Sequence, residues 1–305
     1  MKTSPTYMLI TPARNEAEFI EFTIKSMVAQ TIRPTKWVIV SDGSTDGTDE
    51  IVKRYLPEHP WIELIRMPAR EERHFAGKVD AFNAGYARVK ELPHEFVGSL
   101  DADISFDSEY FSFLLSKLSE DAKLGLVGTP FKNSSNRIYD YRYTSLEHVS
   151  GACQLFRREC FEDIGGYVPI KAGGIDYVMV IAARMMGWKT RTFTEKMSLH
   201  HREMGTAQHG LWRARFQNGV KDYAFGNHPL WELARVAYQM TQPPRLIGGV
   251  LLITGYVWEQ IRRADRPVSR EFVAFVRREQ IQRLSAIILR SPRLRRNTIG
   301  ASSLV

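Results

Sequence analysis

The first 105 residues alternate between short apolar runs and segments in which apolar residues recur at helical spacing. Four runs, YMLI, KWVIV, WIELIRM and EFVGSL, are typical of buried strands. The segments between them, AEFIEFTIKSMVAQ, TDEIVKRYL and KVDAFNAGYARVK, have the spacing of amphipathic helices. This alternation of strand and helix predicts an α/β fold, with a mostly parallel sheet flanked by helices on both faces.

Polar residues follow each of these predicted strands. They form the stretches TPARNEAE, SDGSTDGT, PAREERHFAGK and DAD. Ligands of open α/β sheets bind outside the carboxyl ends of the strands, and those ends meet at one edge. We therefore expect the four polar stretches to share one rim, which is the predicted ligand site.

Two carboxylates stand at the end of the fourth predicted strand, in the stretch SLDADISF. Asp101 and Asp103 are two residues apart, and in an extended strand such side chains point to the same face. Two like charges held that close need a cation between them, or one of them must take up a proton. The spacing therefore predicts that both carboxylates face a single object.

The pattern continues up to the pair His200 and His201. The stretch YFSFLLSKLSEDAK predicts a helix, LGLVGTPF a strand, and GACQLFRRECFEDIGGY a strand that runs into a short helix stopped by two glycines. GIDYVMVIAARMMGW then predicts a helix, and KTRTFTEKMSLHH a strand that ends in the two histidines.

Composition excludes several classes of protein. With 305 residues, 44% of them hydrophobic and 25% charged, the chain has an ordinary globular composition. Cys153 and Cys160 are seven residues apart, which fits neither a zinc-binding pair nor a secreted disulfide framework. The N-terminus lacks a signal-peptide core, and no run approaches the roughly 18 apolar residues of a membrane span. These features predict a cytoplasmic protein without spans.

Basic charge is concentrated in the last quarter of the chain. From residue 231 onward there are thirteen arginines, no lysine and five acidic residues, a net +8 that equals the charge of the whole chain. The same region contains two predicted helices, RLIGGVLLITGYVWEQIRR and REFVAFVRREQIQRLSAIILRS. They fit docking on an anionic membrane surface or a homo-oligomer interface. Nucleic-acid binding ranks below both, because no exposed aromatic sheet accompanies the arginines.

Two nucleotide-dependent classes fit the rim poorly. A dinucleotide oxidoreductase needs GxGxxG after its first or second strand, and neither turn contains it. A sugar-phosphate nucleotidyltransferase needs a glycine-rich phosphate loop after strand one, where this chain has TPARNEAEF. Both interpretations are weakened.

Five stretches in order resemble the family 2 inverting glycosyltransferases, which have the GT-A fold. They are TPARNEAEFIEFTIKSMVAQT, VSDGSTDGTDEI, GKVDAFNAGYA, LDADIS and GIDYVMVIAARMMGW, and the resemblance covers roughly residues 5–205. It implies transfer of one sugar from a nucleoside diphosphate sugar, with uridine the commoner base, to a hydroxyl acceptor. The acceptor would be a glycan or lipid-linked molecule of cell-surface polysaccharide or glycolipid synthesis.

The resemblance also implies roles for residues of the rim. The stretch LDADIS contains the family's Asp-x-Asp motif. Its first Asp, Asp101, would face the nucleotide, and its second, Asp103, would bind Mg²⁺ or Mn²⁺ that bridges the donor's diphosphate. His200 would be a further ligand of the metal or diphosphate, with His201 as the alternative. The predicted nucleotide-sugar-binding residues are Thr11, Pro12, Ala13, Arg14, Glu16, Asp42, Lys78, Asp101 and Ala102.

Three of these residues have a simpler interpretation as well. His200 can be a structural or acceptor-facing histidine. Asp42 can accept hydrogen bonds from a nucleobase or a ribose hydroxyl, but Asp42 and Asp46 also fit a turn and a helix cap. Lys78 can contact phosphate or nucleotide, or it can be a solvated surface lysine.

Asp176 is the predicted catalytic base. Direct displacement with inversion needs a base that removes the proton of the attacking hydroxyl. In the family this residue is the Asp of a Glu-Asp pair that opens a helix, with a glycine eleven residues later, and Asp176 and Gly187 keep that spacing. Ile175 stands at the Glu position. This departure leaves open a helix N-terminal Asp without catalysis, and with it an inactive carbohydrate-binding or scaffold protein.

The remaining expectations concern domain organisation. Residues 1–230 are predicted to form the GT-A catalytic domain, with residues 202–228 as a segment that closes over the donor, and residues 231–305 a basic helical region. Processive synthases of the family carry QxxRW and membrane spans. This chain has QHGLWR and no predicted span, which favours a single sugar transfer. The basic C-terminal helices predict a peripheral position at the cytoplasmic face of the membrane.

Overall fold

The computed structural model describes residues 5–69, 76–133, 145–170, 173–202 and 210–290. The chain forms two compact units, Met1–Met204 and Gly205–Val305. That the catalytic domain extends to residue 230, and that residues 202–228 close over a donor, stay predictions.

The first unit is built on strands and helices in alternation. Its strands are β1 (Tyr7–Ala13), β2 (Lys36–Asp42), β3 (Ile62–Met67), β4 (Phe96–Leu100), β5 (Ile104–Ser105), β6 (Leu124–Gly128), β7 (Phe131–Asn133), β8 (Cys153–Arg157), β9 (Lys189–Thr192) and β10 (Ser198–His200). Its helices are α1 (Ile20–Val28), α2 (Thr48–Tyr55), α3 (Ala76–Val89), α4 (Tyr110–Glu120), α5 (Arg158–Asp163) and α6 (Ile175–Met185).

A seven-stranded sheet in the order β3-β2-β1-β4-β8-β6-β9 forms the centre of this unit. The pairs β3-β2, β2-β1, β1-β4 and β6-β9 are parallel, and β8 runs antiparallel to both of its neighbours. The mostly parallel α/β sheet predicted from the sequence is confirmed. Because β1, β2, β3 and β4 run in the same direction, the polar stretches that follow them start from one edge.

Helices cover both faces of the sheet. Alternate residues of β1 and β2 enter two separate apolar clusters, with Leu9 and Ile39 in one and Ile10 and Val38 in the other. The first cluster takes residues from α1, α2 and α4, and the second takes residues from α3, α5 and α6. Burial on both faces explains why these strands are continuous apolar runs in the sequence.

Two predicted strands are each divided in the structure. The main-sheet strand β4 ends at Leu100, residues 101–103 form a turn, and β5 pairs antiparallel with β10 in a second sheet of order β5-β10-β7. The stretch KTRTFTEKMSLHH likewise forms β9 in the large sheet and β10 in the small one. A turn that lets the chain change sheets has no periodic signal, so the single extended strand expected through Asp101 and Asp103 was wrong.

The second unit is helical in its described residues. It contains α7 (Leu211–Ala224), α8 (Pro229–Thr241), α9 (Ile247–Arg262) and α10 (Arg270–Arg290), and α7 falls within the segment predicted to close over the donor. Helix α9 packs on α7 and α8, and α10 buries Phe272 and Val276. The two apolar segments predicted as helices are α9 and α10. Among the described residues, no helix combines the length and the hydropathy needed to cross a bilayer.

Candidate active site

A cavity of about 340 Å³ lies beside the ends of β4, β8 and β10. Its lining includes Lys78, Asp101, His148, Tyr167, Asp176 and His200. Four of these six, Lys78, Asp101, Asp176 and His200, are sequence-predicted site residues. Each is 23 to 75 positions from the next along the chain. The fold thus brings the third, fourth and fifth of the quoted stretches, and the first of the two histidines, to one space.

Asp101, Asp103 and His200 form a cluster with metal-ligand geometry. Each offers one ligand atom, and these atoms all lie within 4.8 Å of one another. Asp101 and Asp103 flank the turn between β4 and β5, and His200 ends β10, which pairs with β5. The backbone N–H of His201 donates to the carbonyl of Asp103 at 2.9 Å, which holds the turn against β10. The two carboxylates therefore converge through a turn.

Hydrogen bonding separates the two histidines. His200 Nδ1 lies 2.7 Å from the carbonyl oxygen of Arg202, which can only accept, so Nδ1 carries the proton. In neutral His200 the lone pair of Nε2 then faces Asp103 Oδ1, 3.5 Å away. Both atoms are acceptors, so they do not form a hydrogen bond. His201 instead contacts Ser105 Oγ through Nε2 at 2.9 Å and stacks on Phe22. This geometry suits His200 as a metal ligand and gives His201 a packing role.

Around this cluster, carboxylate side chains outnumber the lysine and arginine side chains that pair with them. Burial raises the pKa of Asp101, with Asp103 adding to the effect, although Lys78 opposes it by donating to Asp101 Oδ1. Burial tends to lower the pKa of Lys78, but Asp101, Asp176 and Asp103 raise it overall. Burial and Asp103 raise the pKa of Glu16 to about 7, against the effect of Arg202. A divalent cation fits such a site, because it would lower the cost of keeping these carboxylates ionised.

Arg202 is a site residue that the sequence interpretation missed. Its guanidinium donates to Glu16 Oε2 at 2.5 Å and to Asp103 Oδ2 at 3.2 Å, so it joins the polar stretch after β1 to the metal cluster. It directly follows the two histidines in SLHHRE. A basic residue next to a predicted ligand at a strand end was the only available signal, and it does not specify a partner.

The predicted donor residues on β1 and β2 divide into two groups. Thr11, Pro12 and Ala13 belong to β1, and Thr11 Oγ1 is buried and accepts a hydrogen bond from Trp37 Nε1 at 2.9 Å. Arg14 Nη1 and Asp42 Oδ2, which follow β1 and end β2, are 3.7 Å apart. Neither Arg14 nor Asp42 lines the cavity next to Asp176.

The simpler interpretation of the second stretch applies to Asp46. Its carboxylate accepts from the backbone N–H groups of Thr48 and Ala17, at 3.1 Å and 2.9 Å, which ties the first residue of α2 to the first stretch. These hydrogen bonds lower the pKa of Asp46, although burial opposes them. Asp46 is therefore a structural residue, whereas Asp42 faces Arg14.

Asp176 lies in the first turn of α6. Gly174 precedes the helix with φ of 79°, a left-handed conformation that glycine adopts without strain, and so sets the direction of the first turn. The backbone N–H of Gly151 donates to Asp176 Oδ2 at 3.2 Å. One carboxylate oxygen is thereby held in place while the side chain lines the cavity.

Gln154 supports the same turn from behind. It is a fully buried polar residue in β8, and its Nε2 donates to the carbonyls of Asp176 at 3.3 Å and Val149 at 3.1 Å. Tyr167 Oη donates to Gln154 Oε1 at 2.7 Å. The only sequence signal was one amide inside the apolar run CQLF, and sequence interpretation did not single it out.

The family model described as glycosyl transferase family 2 matches residues 8–165. Among curated relatives, the poly-β-1,6-N-acetyl-D-glucosamine synthase of Staphylococcus aureus strain COL is 26% identical over 238 residues. The same synthase from Staphylococcus epidermidis is 24% identical over 238 residues. Each alignment covers 70% of this chain and 52% of the relative, so the chain spans about half the length of these proteins.

Solved structures with the same fold include two proteins in complex with nucleotide sugars. The mannosyltransferase PcManGT of Pyrobaculum calidifontis, in complex with GDP-Man and Mn²⁺, is 19% identical with a TM-score of 0.57, over 95% of this chain and 82% of the other. TarS 1–349 of S. aureus, in complex with UDP-GlcNAc, is 13% identical with a TM-score of 0.54, over 86% and 93%. These similarities confirm the predicted GT-A fold.

Proposed function

The chain belongs to glycosyl transferase family 2, and we propose that it is an inverting enzyme that moves one sugar from a nucleoside diphosphate sugar to a hydroxyl acceptor. The observation that carries this proposal is that Asp176 lines the same cavity as Asp101 and His200. A candidate base and a candidate metal cluster facing one space can hold donor and acceptor close enough to react.

The proposed donor site runs along the carboxyl edge of the sheet. Asp42 would accept hydrogen bonds from the base or ribose, and Arg14 and Lys78 would contribute positive charge near the nucleotide and diphosphate. Thr11, Pro12, Ala13, Glu16, Asp101 and Ala102 would form the rest of its wall. The relatives are named for N-acetylglucosamine polymers and TarS is bound to UDP-GlcNAc, whereas PcManGT is bound to GDP-Man. These names support a UDP-sugar as the first donor to test.

Asp103 and His200 would hold the divalent cation. The oxygen ligands of Asp101 and Asp103 suit Mg²⁺ or Mn²⁺, and the Mn²⁺ in PcManGT supports the second choice. When bound, the ion neutralises charge that develops on the departing diphosphate. Lys78 and Arg202 hold the two carboxylates in position through ion pairs.

Asp176 would act on the acceptor. Its carboxylate takes the proton of the attacking hydroxyl while the oxygen forms a bond to the anomeric carbon and the bond to the diphosphate breaks. Attack from the face opposite the leaving group inverts the anomeric centre. The hydrogen bond from Gly151 fixes one oxygen of Asp176, so the other can receive the proton.

The acceptor side is proposed on sequence grounds. The chain lacks the QxxRW motif of processive synthases, so we propose transfer of a single sugar. A glycan or a lipid-linked sugar would be the acceptor, and a peripheral position at the membrane surface would bring the enzyme to a lipid-linked one.

An inactive carbohydrate-binding protein with the same fold is the rival function. It is motivated by Ile175, a buried apolar residue at the position where the family has Glu. Such a protein would bind the donor but would not release a nucleoside diphosphate.

One experiment separates these functions. A panel of UDP- and GDP-sugars is first tested by thermal shift with Mn²⁺, because a bound nucleotide raises the melting temperature by mass action. Release of nucleoside diphosphate from the stabilising donor is then measured with Mn²⁺ and with a chelator. Release that needs the metal supports the enzyme, stabilisation without release supports the binding protein, and release that ignores chelation contradicts the metal assignment.

A further inference from the structure

Helix α9 carries an apolar stripe on the side that faces away from its packing contacts. Its buried residues, including Gly248, Leu252, Gly255 and Tyr256, lie on one side of the helix. The exposed apolar residues lie on the opposite side at helical spacing and define the α9 stripe: Ile247, Val250, Val257, Trp258 and Ile261. An ordinary surface helix has a polar outward face, whereas the outward face of α9 is mostly apolar.

The stripe is large and strongly exposed. Ile261 is 73% exposed, and Val250 and Trp258 are each 51% exposed. From Ile247 to Ile261 the stripe is about 21 Å long, at 1.5 Å per residue. Within the described helix, Thr254 is the one exposed polar residue on this face, between Val250 and Val257. Extended exposed apolar surface rimmed by polar residues marks an interaction site.

Positive charge lies at both ends of the stripe. Arg245 precedes it, and Arg262 and Arg263 follow it, all three exposed. Near the C-terminal end the guanidinium of Arg262 lies 5.8 Å from the ring centroid of Trp258. The acidic side chain of Glu259 lies 4.0 Å from Arg262 and outside the stripe, and exposed Asp265 follows Arg263 by two residues.

This charge pattern distinguishes between possible occupants. If α9 packed antiparallel on a second copy of itself, Arg245 would meet Arg262 and Arg263 of the partner, and a parallel arrangement would place identical arginines together. Both arrangements bring like charges into contact. Phosphate headgroups carry the complementary charge, and Trp with flanking Arg suits the boundary between headgroups and acyl chains.

We propose that the α9 stripe docks on the surface of an anionic lipid bilayer, with the helix lying in the plane of the interface. Val250, Val257 and Ile261 enter the acyl boundary, Trp258 lies at headgroup level, and Arg245, Arg262 and Arg263 contact lipid phosphates. This proposal concerns a surface of the second unit and does not depend on the proposed glycosyl transfer.

The test is sedimentation of the full chain with vesicles of phosphatidylcholine alone or mixed with phosphatidylglycerol. We expect binding to the mixed vesicles and little to the neutral ones. Replacing Trp258 and Ile261 together by Ser should lower the partition coefficient about 100-fold, because docking buries the exposed half or more of each side chain, worth about 1.4 kcal/mol apiece. R262Q with R263Q should lower it about 30-fold on anionic vesicles only, at about 1 kcal/mol per arginine.

Matched controls come from the first unit. Leu92→Ser removes an exposed apolar residue, and K53Q with R54Q removes two adjacent basic residues from α2, and both variants should bind vesicles like the wild type. As a direct probe, brominated lipid should quench wild-type tryptophan fluorescence more than that of Trp258→Phe. Wild-type protein that ignores anionic vesicles at low salt, or a W258S/I261S variant that binds as tightly as the wild type, overturns the proposal. A dimer that this double variant dissociates in light scattering assigns the stripe to a second copy and overturns it as well.

Discussion

At the residue scale, the site is held together by a few side chains with two partners each. Arg202 bridges Glu16 and Asp103, and Lys78 pairs with Asp101, the other carboxylate of the candidate metal cluster. Each carboxylate therefore has a fixed orientation before any ligand binds. Such preorganisation is expected where charge develops during a reaction.

Replacing Asp103 should remove the part of donor binding that depends on the metal and leave the part that does not. We expect Asp103→Ala to abolish the increase in donor affinity that Mn²⁺ gives to the wild type, and to lower affinity in the presence of Mn²⁺ by about 100-fold, because a metal ligand is lost. Titration calorimetry with the donor, with and without Mn²⁺, measures the effect. Asp80→Ala, an exposed carboxylate on α3, is the control. An undiminished Mn²⁺ effect in Asp103→Ala would remove this residue from the metal site.

Sequence reasoning reached the residues whose chemistry is unusual for their position. Three features stand out from apolar surroundings in the sequence. They are the two carboxylates after the fourth strand, Asp176 at the start of a helix, and the two histidines at the end of a strand. Sequence reasoning missed Arg202 and Gln154, because ordinary arginines and glutamines reveal their role only through partners that are distant along the chain. The convergence of Asp101 and Asp103 was expected from strand periodicity, but it depends on a turn held by His201.

At the element scale, the second unit depends on a close approach between α7 and α9. A Cβ atom on Gly255 would lie 2.1 Å from the carbonyl oxygen of Phe216, and one on Gly219 would lie 1.9 Å from that of Leu252. Because backbone atoms cannot move aside without shifting a helix, only glycine permits this packing distance. The sequence shows these glycines inside helical patterns but does not reveal what faces them.

Gly255→Ala should therefore destabilise the second unit. Alanine favours a helix over glycine by up to about 1 kcal/mol, but the steric cost of overpacking is about 3 kcal/mol and outweighs it. We expect a net loss of about 2 kcal/mol in the free energy of unfolding, measured by urea denaturation followed by circular dichroism. Gly210→Ala, where an added Cβ would meet nothing within 4 Å, should be nearly neutral. Equal stability of the two variants would contradict the close helix contact.

A buried pair of acids makes the second unit sensitive to pH. Asp222 in α7 and Glu232 in α8 are both buried, and Arg235 pairs with Asp222. Burial and Asp222 raise the pKa of Glu232 from 4.5 to about 7. Since the folded pKa lies above the unfolded one, this group contributes stability below about pH 4.5 and loses it as pH rises through 7.

Glu232→Gln should remove this pH dependence. From pH 5.5 to 8 the wild type should lose about 1–3 kcal/mol of stability that the variant keeps, so the variant should be the more stable protein at pH 8. Denaturant unfolding at both pH values measures this difference. Asp265→Asn, an exposed acid in the same unit, should follow the wild type. A Glu232→Gln variant with the pH dependence of the wild type would show that Glu232 is ionised throughout.

At the scale of the whole molecule, the α/β pattern of the first 105 residues was sufficient to predict the parallel strands β1 to β4 and the helices between them. Burial on both faces of β1, β2 and β4 gives continuous apolar runs, which are the clearest signal a sequence can carry. The antiparallel insertion of β8 and the small sheet β5-β10-β7 had no such signal. Strand order depends on pairings between distant segments, and periodicity within one segment does not encode them.

The net positive charge of the chain lies within the second compact unit. Residues 231–305 carry the entire net charge of +8, while the residues before them sum to zero. The candidate metal cluster and the apolar α9 stripe with its flanking arginines belong to different compact units, Met1–Met204 and Gly205–Val305. The proposed sugar transfer and the proposed membrane docking should therefore be altered by substitutions in separate units.

The most direct test of the account is a comparison of Asp176→Asn with the wild type, using the donor identified by thermal shift. Asparagine can still accept the hydrogen bond from Gly151, so the fold and the donor site should be preserved. We predict donor affinity within about twofold of the wild type and turnover at least about 100-fold lower, because only proton removal in the transition state is lost. Near-normal turnover in Asp176→Asn would contradict the assignment of the base, and with it the proposed mechanism.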